Sequence, residues 1–177
     1  MADFNIIIAG FGGQGILFSG KVLACAGLLE DRNLSWLPSY GPEMRGGTAN
    51  CSVVLSDKPV GSPIVERPNV LMVMNEPSLD KFEDLVVPGG KIFVDSSLIP
   101  RKVKRDDVEA FYVPATKLAA DNGLKGLANM ILLGNLIRHT GCIKEDGIAD
   151  ALHQAIPARK IDLFNSNMNA ISMGFEY

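Results

Sequence analysis

The sequence is organised around the stretch IIIAGFGGQGIL, residues 6–17, in which a short apolar run meets a glycine-dense turn. The apolar run before the turn is typical of a buried strand, and the apolar residues after it are typical of a helix. Gly10, Gly12 and Gly15 have the spacing of a dinucleotide fingerprint, and Gly13 adds a fourth glycine. Glycine permits a tight turn and a close approach to the main chain, while the start of a helix suits a phosphate or carboxylate. The stretch predicts a strand–turn–helix unit that either binds an anion or serves only as a packing turn.

The composition is that of a globular chain with one domain. The 177 residues carry a net charge of −3, and 47% of them are hydrophobic, which is enough for a substantial core. The negative charge argues against nucleic acid as the main partner, and no apolar run approaches the roughly 20 residues of a membrane span. Three scattered cysteines without a CxxC pair offer no readable iron–sulfur or zinc site, and they favour a reducing cytoplasm. We expect a single cytoplasmic domain over residues 1–177, with neither nucleic acid nor a membrane as partner.

Strands and helices alternate along the chain. Residues 34–37 are predicted as the second strand. The alternating run at 49–55 predicts a half-buried strand, and the runs at 69–74 and 91–94 predict buried strands. Helices are predicted over 16–29, over 79–85 with Ser78 as the cap, over 124–138, and over 158–173. This pattern predicts a single-domain, three-layer, Rossmann-like α/β fold, with a mostly parallel sheet and helices on both faces.

Small or polar residues follow four of the predicted strands. They are Gly10, Ser39 with Tyr40, Asn75 and Asp95. Because ligands of open α/β sheets bind at the carboxyl ends of the strands, we expect these residues to lie near one edge. Asn129 interrupts the apolar helix over 124–138, and it needs a hydrogen-bond partner if it is buried.

The most polar of these strand ends is the loop SYGPEMRGGT, residues 39–48. It carries one acid, Glu43, and one base, Arg45, among small residues, and such loops supply function more often than scaffolding. The alternative is a solvated turn with ordinary surface charges. A dinucleotide site requires an acid at the end of the second strand, for the ribose hydroxyls. Here Pro38 and Ser39 stand in that place, which is the strongest internal evidence against NAD.

Together these motifs resemble a known family. GFGGQG at 10–15, SYGPEMRGGTANC at 39–51, PGG at 88–90 and NMILLG at 129–134 are similar to the gamma subunit of 2-oxoacid:ferredoxin oxidoreductases. This is the pyruvate/ketoisovalerate oxidoreductase gamma family, and the chain is most like its 2-oxoglutarate type. The loop at 39–47 carries the most specific part of the resemblance.

The resemblance implies a role in oxidative decarboxylation of a 2-oxoacid, with the acyl group passed to coenzyme A and electrons to ferredoxin. Thiamine diphosphate, Mg²⁺ and iron–sulfur clusters are then expected on partner subunits: thiamine-binding alpha and beta subunits and a ferredoxin-like subunit or ferredoxin. This chain would be an oxidoreductase subunit that is not catalytic alone, and gamma subunits have been associated with CoA binding. When isolated, it is expected to form a homodimer through the apolar surface that it keeps for the complex.

The candidate binding residues come from the first turn and from the loop. They are Gly12, Gly13, Gln14, Gly15, Tyr40, Glu43, Met44, Arg45, Gly46 and Thr48. Whether they contact CoA or only a neighbouring subunit stays open at this point. The alternative function is a free-standing Rossmann-like nucleotide-binding protein or an NAD(P)-dependent dehydrogenase.

Overall fold

The computed structural model describes residues 3–39 and 48–177, in which six strands form one sheet. The strands are β1 (Phe4–Phe11), β2 (Asn33–Ser39), β3 (Thr48–Ser56), β4 (Val70–Val73), β5 (Lys91–Asp95) and β6 (Glu109–Val113). Their order across the sheet is β2-β3-β1-β4-β5-β6. The strands β1, β4, β5 and β6 are paired in parallel, whereas β3 is antiparallel to both of its neighbours. All strands except β3 therefore point the same way, and the predicted mostly parallel sheet is confirmed.

The helices are distributed unequally over the two faces. They are α1 (Ile16–Leu29), α2 (Glu76–Phe82), α3 (Ala115–Asp121), α4 (Ala128–Thr140), α5 (Ile148–Ala155) and α6 (Phe164–Glu176). Ile6 and Ile8 of β1 pack in the core that α1 and α3 to α6 cover. Ile7 and Ala9 belong to the other core, which α2 covers together with the chain segments around Val65 and Ile99. Since helices cover both faces, the three-layer α/β prediction is confirmed.

Helices α4 and α6 cross at two glycines. A Cβ atom on Gly174 would lie 2.0 Å from the carbonyl oxygen of Ile131, and one on Gly134 would lie 2.2 Å from that of Ile171. Because these neighbours are backbone atoms, the two helices touch main chain to main chain. This contact brings the start of α6 to the side of the sheet on which α4 packs.

Several local predictions are wrong. Asn75, not Ser78, caps α2: its Oδ1 accepts the N–H of Ser78 at 2.9 Å, so the helix begins earlier than predicted. The helix expected over 124–138 begins at Ala128, because Gly126 adopts a left-handed φ of 86° just before it. The helix expected over 158–173 begins as a 3-10 segment, Ala158–Leu163, with a non-helical residue at Lys160.

Candidate functional site

The glycine turn, residues 10–15, lies where β1 ends and α1 begins. In the sheet β1 lies beside β4, and the helices that follow these two strands lie on opposite faces. This is the switch point of the sheet, at which open α/β proteins hold their ligands. The ends of β1, β2, β4 and β5 all lie at this carboxyl edge, so the predicted clustering of Gly10, Ser39, Asn75 and Asp95 is confirmed. Tyr40 lies outside the described residues.

The side chain of Gln14 is engaged within the chain. Its Oε1 accepts the N–H of Phe11 at 2.6 Å, and its Nε2 donates to the carbonyl oxygen of Met74 at 3.0 Å. The side chain thus bridges the ends of β1 and β4 across the switch point. Gly10 leaves room for it, because a Cβ there would lie 2.6 Å from Oε1. In this arrangement Gln14 holds the turn in place, with one hydrogen bond at each polar atom of its side chain.

The conformation of Gly15 and its contact with α4 also fix the turn. Its φ of 75° lies in the left-handed region, which favours glycine. A Cβ on Gly15 would lie 2.4 Å from Nδ2 of Asn129. That nitrogen donates to the carbonyl oxygen of Gly15 at 3.1 Å and to Oγ of Ser19 at 3.2 Å. The partner that the sequence requires for a buried Asn129 is therefore the glycine turn itself, which α4 approaches closely.

In the described part of the chain, Gly13 borders three clefts around the glycine turn. The first cleft, of about 570 Å³, lies between the turn, the end of β4 and helices α3 and α4. The second, of about 330 Å³, lies between the turn and the start of α6. The third, of about 310 Å³, lies beside Phe11 and Ala49. Among the described residues, no atom lies within 4 Å of where a Cβ on Gly13 would be, so a side chain there would project into the clefts.

The clefts combine apolar walls with a few polar groups. The first is bordered by Thr116, Lys125 and Asn129, and the second by Asn129, Lys160 and Asn167. The hydroxyl of Thr116 donates to the buried carboxylate of Asp95 at 2.6 Å, which fixes α3 to the end of β5. Each cleft also has one large apolar side chain that stays well exposed. These side chains are Leu98, Leu163 and Phe11.

The predicted site residues are brought together as far as they are described. Gly13 and Gly15 border the clefts, Gly12 borders the third, and Gln14 borders the first. Thr48 pairs with Phe11 at the start of β3, beside the glycine turn. The remaining candidates lie outside the described residues. They are Tyr40, Glu43, Met44, Arg45 and Gly46.

Sequence reasoning missed the polar residues that come from the C-terminal third. Lys160 and Asn167 border the second cleft, beside the glycine turn, because α6 packs on α4. No local pattern in the sequence marks them as site residues. Asn129 was indicated by the sequence, because it is a polar residue near the start of a largely apolar helix and needs a hydrogen-bond partner when it is buried.

The nearest thiol is not a nucleophile. Cys51 lies under the start of α1, where its Sγ is 3.7 Å from the carbonyl oxygen of Ile16. Burial raises the pKa of this thiol to about 12, so it stays neutral at physiological pH. Within residues 3–39 and 48–177, no three His, Cys, Asp or Glu side chains group as metal ligands do. In the same ranges, no helix has the length and apolarity needed to cross a membrane.

Comparison with known proteins extends these observations. The family described as pyruvate ferredoxin/flavodoxin oxidoreductase matches residues 5–177. Subunit VorA of ketoisovalerate oxidoreductase from Methanothermobacter thermautotrophicus is 40% identical over 99% of this chain, but the match covers only 36% of VorA. The chain thus spans about a third of the length of that relative. Subunit KorC of 2-oxoglutarate synthase from Methanocaldococcus jannaschii is 33% identical over 97% of this chain and 92% of KorC.

The fold agrees with a solved gamma subunit. The gamma subunit of keto/oxoacid ferredoxin oxidoreductase from Geobacter sulfurreducens superposes with a TM-score of 0.84 at 26% identity, over 98% of this chain and 96% of that one. The resemblance found in the motifs is thereby confirmed over nearly the whole sequence. This chain belongs to the pyruvate ferredoxin/flavodoxin oxidoreductase family, and its fold is that of a gamma subunit.

Proposed function

We propose that this chain is the gamma subunit of a complex that oxidatively decarboxylates a 2-oxoacid, passes the acyl group to CoA and passes the electrons to ferredoxin. The observation that carries the proposal is its end-to-end similarity to KorC, a relative of nearly the same length. In VorA the same unit forms part of a longer polypeptide. A unit that is found both separately and fused is typical of a building block in a larger assembly.

In this proposal the redox chemistry belongs to partner subunits. Thiamine diphosphate and Mg²⁺ lie on the alpha and beta subunits, and the iron–sulfur clusters on a ferredoxin-like subunit or ferredoxin. The carboxyl edge of this chain suits a surface that a partner covers, because Phe11, Leu98 and Leu163 leave 41–44% of their area exposed there. Exposed apolar side chains that line one region mark interaction surfaces more often than isolated ones do.

The same edge suits the phosphates of CoA. The first N–H groups of α1 have no carbonyl partner within the helix, and Gly13 leaves open space in front of them. Lys125 borders the first cleft and supplies a positive charge. We assign the backbone of Gly12, Gly13 and Gly15 to the diphosphate, and we assign Gln14 to holding the turn. CoA would supply the thiol that accepts the acyl group.

The loop residues complete the proposed binding surface. Ser39 and Thr48, the described residues on either side of the loop, lie at the carboxyl edge. We propose that Arg45 binds either a CoA phosphate or a carboxylate of the thiamine-bearing subunit, since its planar fork suits both. We propose the other loop candidates as further contacts to CoA or to the partner subunit. They are Tyr40, Glu43, Met44, Gly46 and Thr48.

We propose 2-oxoglutarate as the substrate, on the ground that KorC has nearly the length of this chain. The two VorA subunits of ketoisovalerate oxidoreductase are more similar in sequence, but each is much longer than this chain. Ketoisovalerate is therefore the alternative substrate. The keto acid itself would bind on the thiamine-bearing subunits, so substrate choice rests on those chains.

Reduction of a viologen dye by the purified complex, with CoA and one 2-oxoacid at a time, tests both points. We expect the fastest reduction with 2-oxoglutarate and a large loss of activity when this chain is left out. Faster reduction with ketoisovalerate would refute the substrate assignment. Full CoA-dependent activity of the other subunits without this chain would refute the role of the chain.

Substituting Arg45→Ala in the complex distinguishes the two roles of that residue. Loss of a phosphate contact raises the KM for CoA about ten- to a hundredfold, whereas loss of a subunit contact weakens assembly and leaves the KM nearly unchanged. Arg45→Lys rescues poorly in both cases, because a point charge cannot replace a bidentate fork. Arg67→Ala is the control, since Arg67 is exposed near the start of β4, at the opposite edge. Normal assembly with unchanged CoA kinetics would refute both roles.

A further inference from the structure

The connection between α3 and α4 contains the only Asn-Gly pair of the sequence, Asn122–Gly123. Both residues are exposed. In such a pair the backbone nitrogen of the glycine can attack the side-chain carbonyl carbon of the asparagine, because no Cβ on the glycine hinders the approach. In a folded chain this reaction depends on how firmly the nitrogen is held and on the space around it. The geometry at the end of α3 favours the reaction on both counts.

Helix α3 ends in a Schellman motif. The N–H of Leu124 donates to the carbonyl oxygen of Ala119 at 2.8 Å, as this motif requires. The second bond of the motif runs from the N–H of Gly123 to the carbonyl oxygen of Ala120 over 3.5 Å, which is longer than the usual range of about 2.7–3.2 Å. The nitrogen of Gly123 is therefore only weakly held.

The side chain of Asn122 caps the same end of α3. Its Nδ2 donates to the carbonyl oxygen of Leu118 at 2.9 Å. Gly123 follows with a left-handed φ of 69°, and among the described residues no atom lies within 4 Å of where a Cβ on it would be. The described part of the chain thus leaves room for a ring that joins the two residues, and solvent reaches both of them.

We propose that Asn122 is a site of spontaneous deamidation. The nitrogen of Gly123 bonds to Cγ of Asn122, the bond from Cγ to Nδ2 breaks, and Nδ2 leaves as ammonia with the proton of the Gly123 N–H. Water then opens the resulting succinimide ring. Opening at the side-chain carbonyl carbon gives aspartate, whereas opening at the main-chain carbonyl carbon gives isoaspartate, in which the main chain runs through Cβ and Cγ. Water is the only co-reactant, and nothing is oxidised or reduced.

Either product weakens the end of α3. An ionised carboxylate has no proton to donate to Leu118, so the hydrogen bond from Nδ2 is lost. The new negative charge also lies at the negative end of the helix dipole, where it is unfavourable. Isoaspartate lengthens the main chain as well, which disturbs the Schellman motif. Since Ala119 and Ala120 of α3 border the first cleft, deamidation loosens one wall of that cleft.

Incubation of the purified chain at mildly alkaline pH, followed by peptide mass spectrometry, tests the proposal. We expect the peptide with Asn122 to gain the mass difference between an amide and an acid, and isoaspartyl methyltransferase to methylate it. Asn33 and Asn169 are internal controls, because both are exposed but are followed by residues with side chains. The nitrogen after Asn169 also lies inside α6. Both controls should keep their amides.

Two variants separate the reaction from its consequence. Asn122→Gln keeps a carboxamide but should stop the reaction, because its longer side chain would have to close a larger ring. Asn122→Asp introduces the carboxylate without changing the main chain, and we expect its melting temperature to fall by roughly 2–6 °C. The isoaspartate form, separated by anion exchange, should melt lower still, and its α3 amides should exchange with deuterium faster.

The proposal fails if the amide of Asn122 persists as long as those of Asn33 and Asn169, or if the modified peptide contains no isoaspartate. An Asn122→Asp chain that melts like the wild type would overturn the predicted effect on α3. The experiment uses neither CoA nor a partner subunit, so its outcome leaves the proposed subunit role untouched.

Discussion

Substituting Gly15→Ala tests the contact between the glycine turn and α4. The added methyl group has two effects. It places a side chain at φ 75°, where L-residues are strained, and it lies 2.4 Å from Nδ2 and 2.8 Å from Cγ of Asn129. Asn129 cannot move away easily, because it is 3% exposed and donates two hydrogen bonds. Either the helix start or the turn must shift.

Gly89→Ala separates the two effects. Gly89 has nearly the same φ, 77°, but a Cβ there would have no atom of residues 3–39 or 48–177 within 4 Å. Strain in the left-handed region destabilises the folded state by about 1–2 kcal/mol. Alanine offsets roughly 0.4–1 kcal/mol of this, because it lowers the conformational entropy of the unfolded chain. We therefore expect Gly89→Ala to lower the free energy of unfolding by about 1 kcal/mol. Overpacking adds about 1–3 kcal/mol, so Gly15→Ala should cost about 2–4 kcal/mol. At about 2–4 °C per kcal/mol for a chain of this size, the melting temperature should fall by roughly 5–15 °C.

Urea unfolding followed by circular dichroism measures these free energies. The double variant Gly15→Ala with Asn129→Ala should be less destabilised than the sum of the single variants, because the collision disappears when the carboxamide is removed. Equal free energies of unfolding for Gly15→Ala and Gly89→Ala would refute the reasoning. So would strict additivity in the double variant, since it would mean that Gly15 and Asn129 do not interact.

Three further predictions concern other parts of the fold. Gly174→Ala should cost about 3 kcal/mol or more in urea unfolding, because its Cβ would meet backbone rather than a flexible side chain; a cost below 1 kcal/mol would contradict the close helix crossing. Burial raises the pKa of the Cys142 thiol from its ordinary value of 9.0 to about 11. The thiol of the unfolded chain therefore ionises first, and the free energy of unfolding should fall as pH rises from about 9 towards 11. In iodoacetamide labelling at pH 8, the half-buried Cys25 should react before the buried Cys142. Glu83→Gln should cost about 1.5–3 kcal/mol, because the buried Glu83 carboxylate accepts from Arg101 at 2.8 Å while Arg101 keeps its contact with Asp80; an unchanged urea midpoint would show that this pair contributes nothing.

The sequence predicts the sheet edge well, and the reason is local. Apolar runs followed by small polar residues define strands and their carboxyl ends, and parallel strands bring those ends together. Gly10, Asn75 and Asp95 lie at one edge for this reason. The order of the strands in the sheet cannot be predicted from the sequence pattern. The alternating pattern at 49–55 shows a half-buried strand, but it cannot show that this strand pairs between β1 and β2.

The candidate site was predicted in part. The glycine positions follow from backbone geometry, which sequence spacing encodes directly. The role of Gln14 does not, because its partner Met74 is distant in the chain and the bridge depends on β4 lying beside β1. Asn167 and Lys160 reach the second cleft through packing of α6 on α4, a tertiary contact that no local pattern specifies.

Strand order also explains why a glycine fingerprint need not mean a dinucleotide site. In dinucleotide-binding folds the strand with the ribose-binding acid lies next to β1. Here β3 is inserted between β1 and β2, so the end of β2 lies two strand spacings away, about 10 Å instead of about 5 Å. Even an acid at Ser39 would then be poorly placed for a ribose on the glycine turn. The side chain of Gln14 also lies at the switch point, where its Oε1 accepts the N–H of Phe11. The turn keeps the glycines and the helix start of an anion site, while the strand that would complete a nucleotide site has been moved away. A phosphate or a partner chain therefore fits this edge better than NAD does.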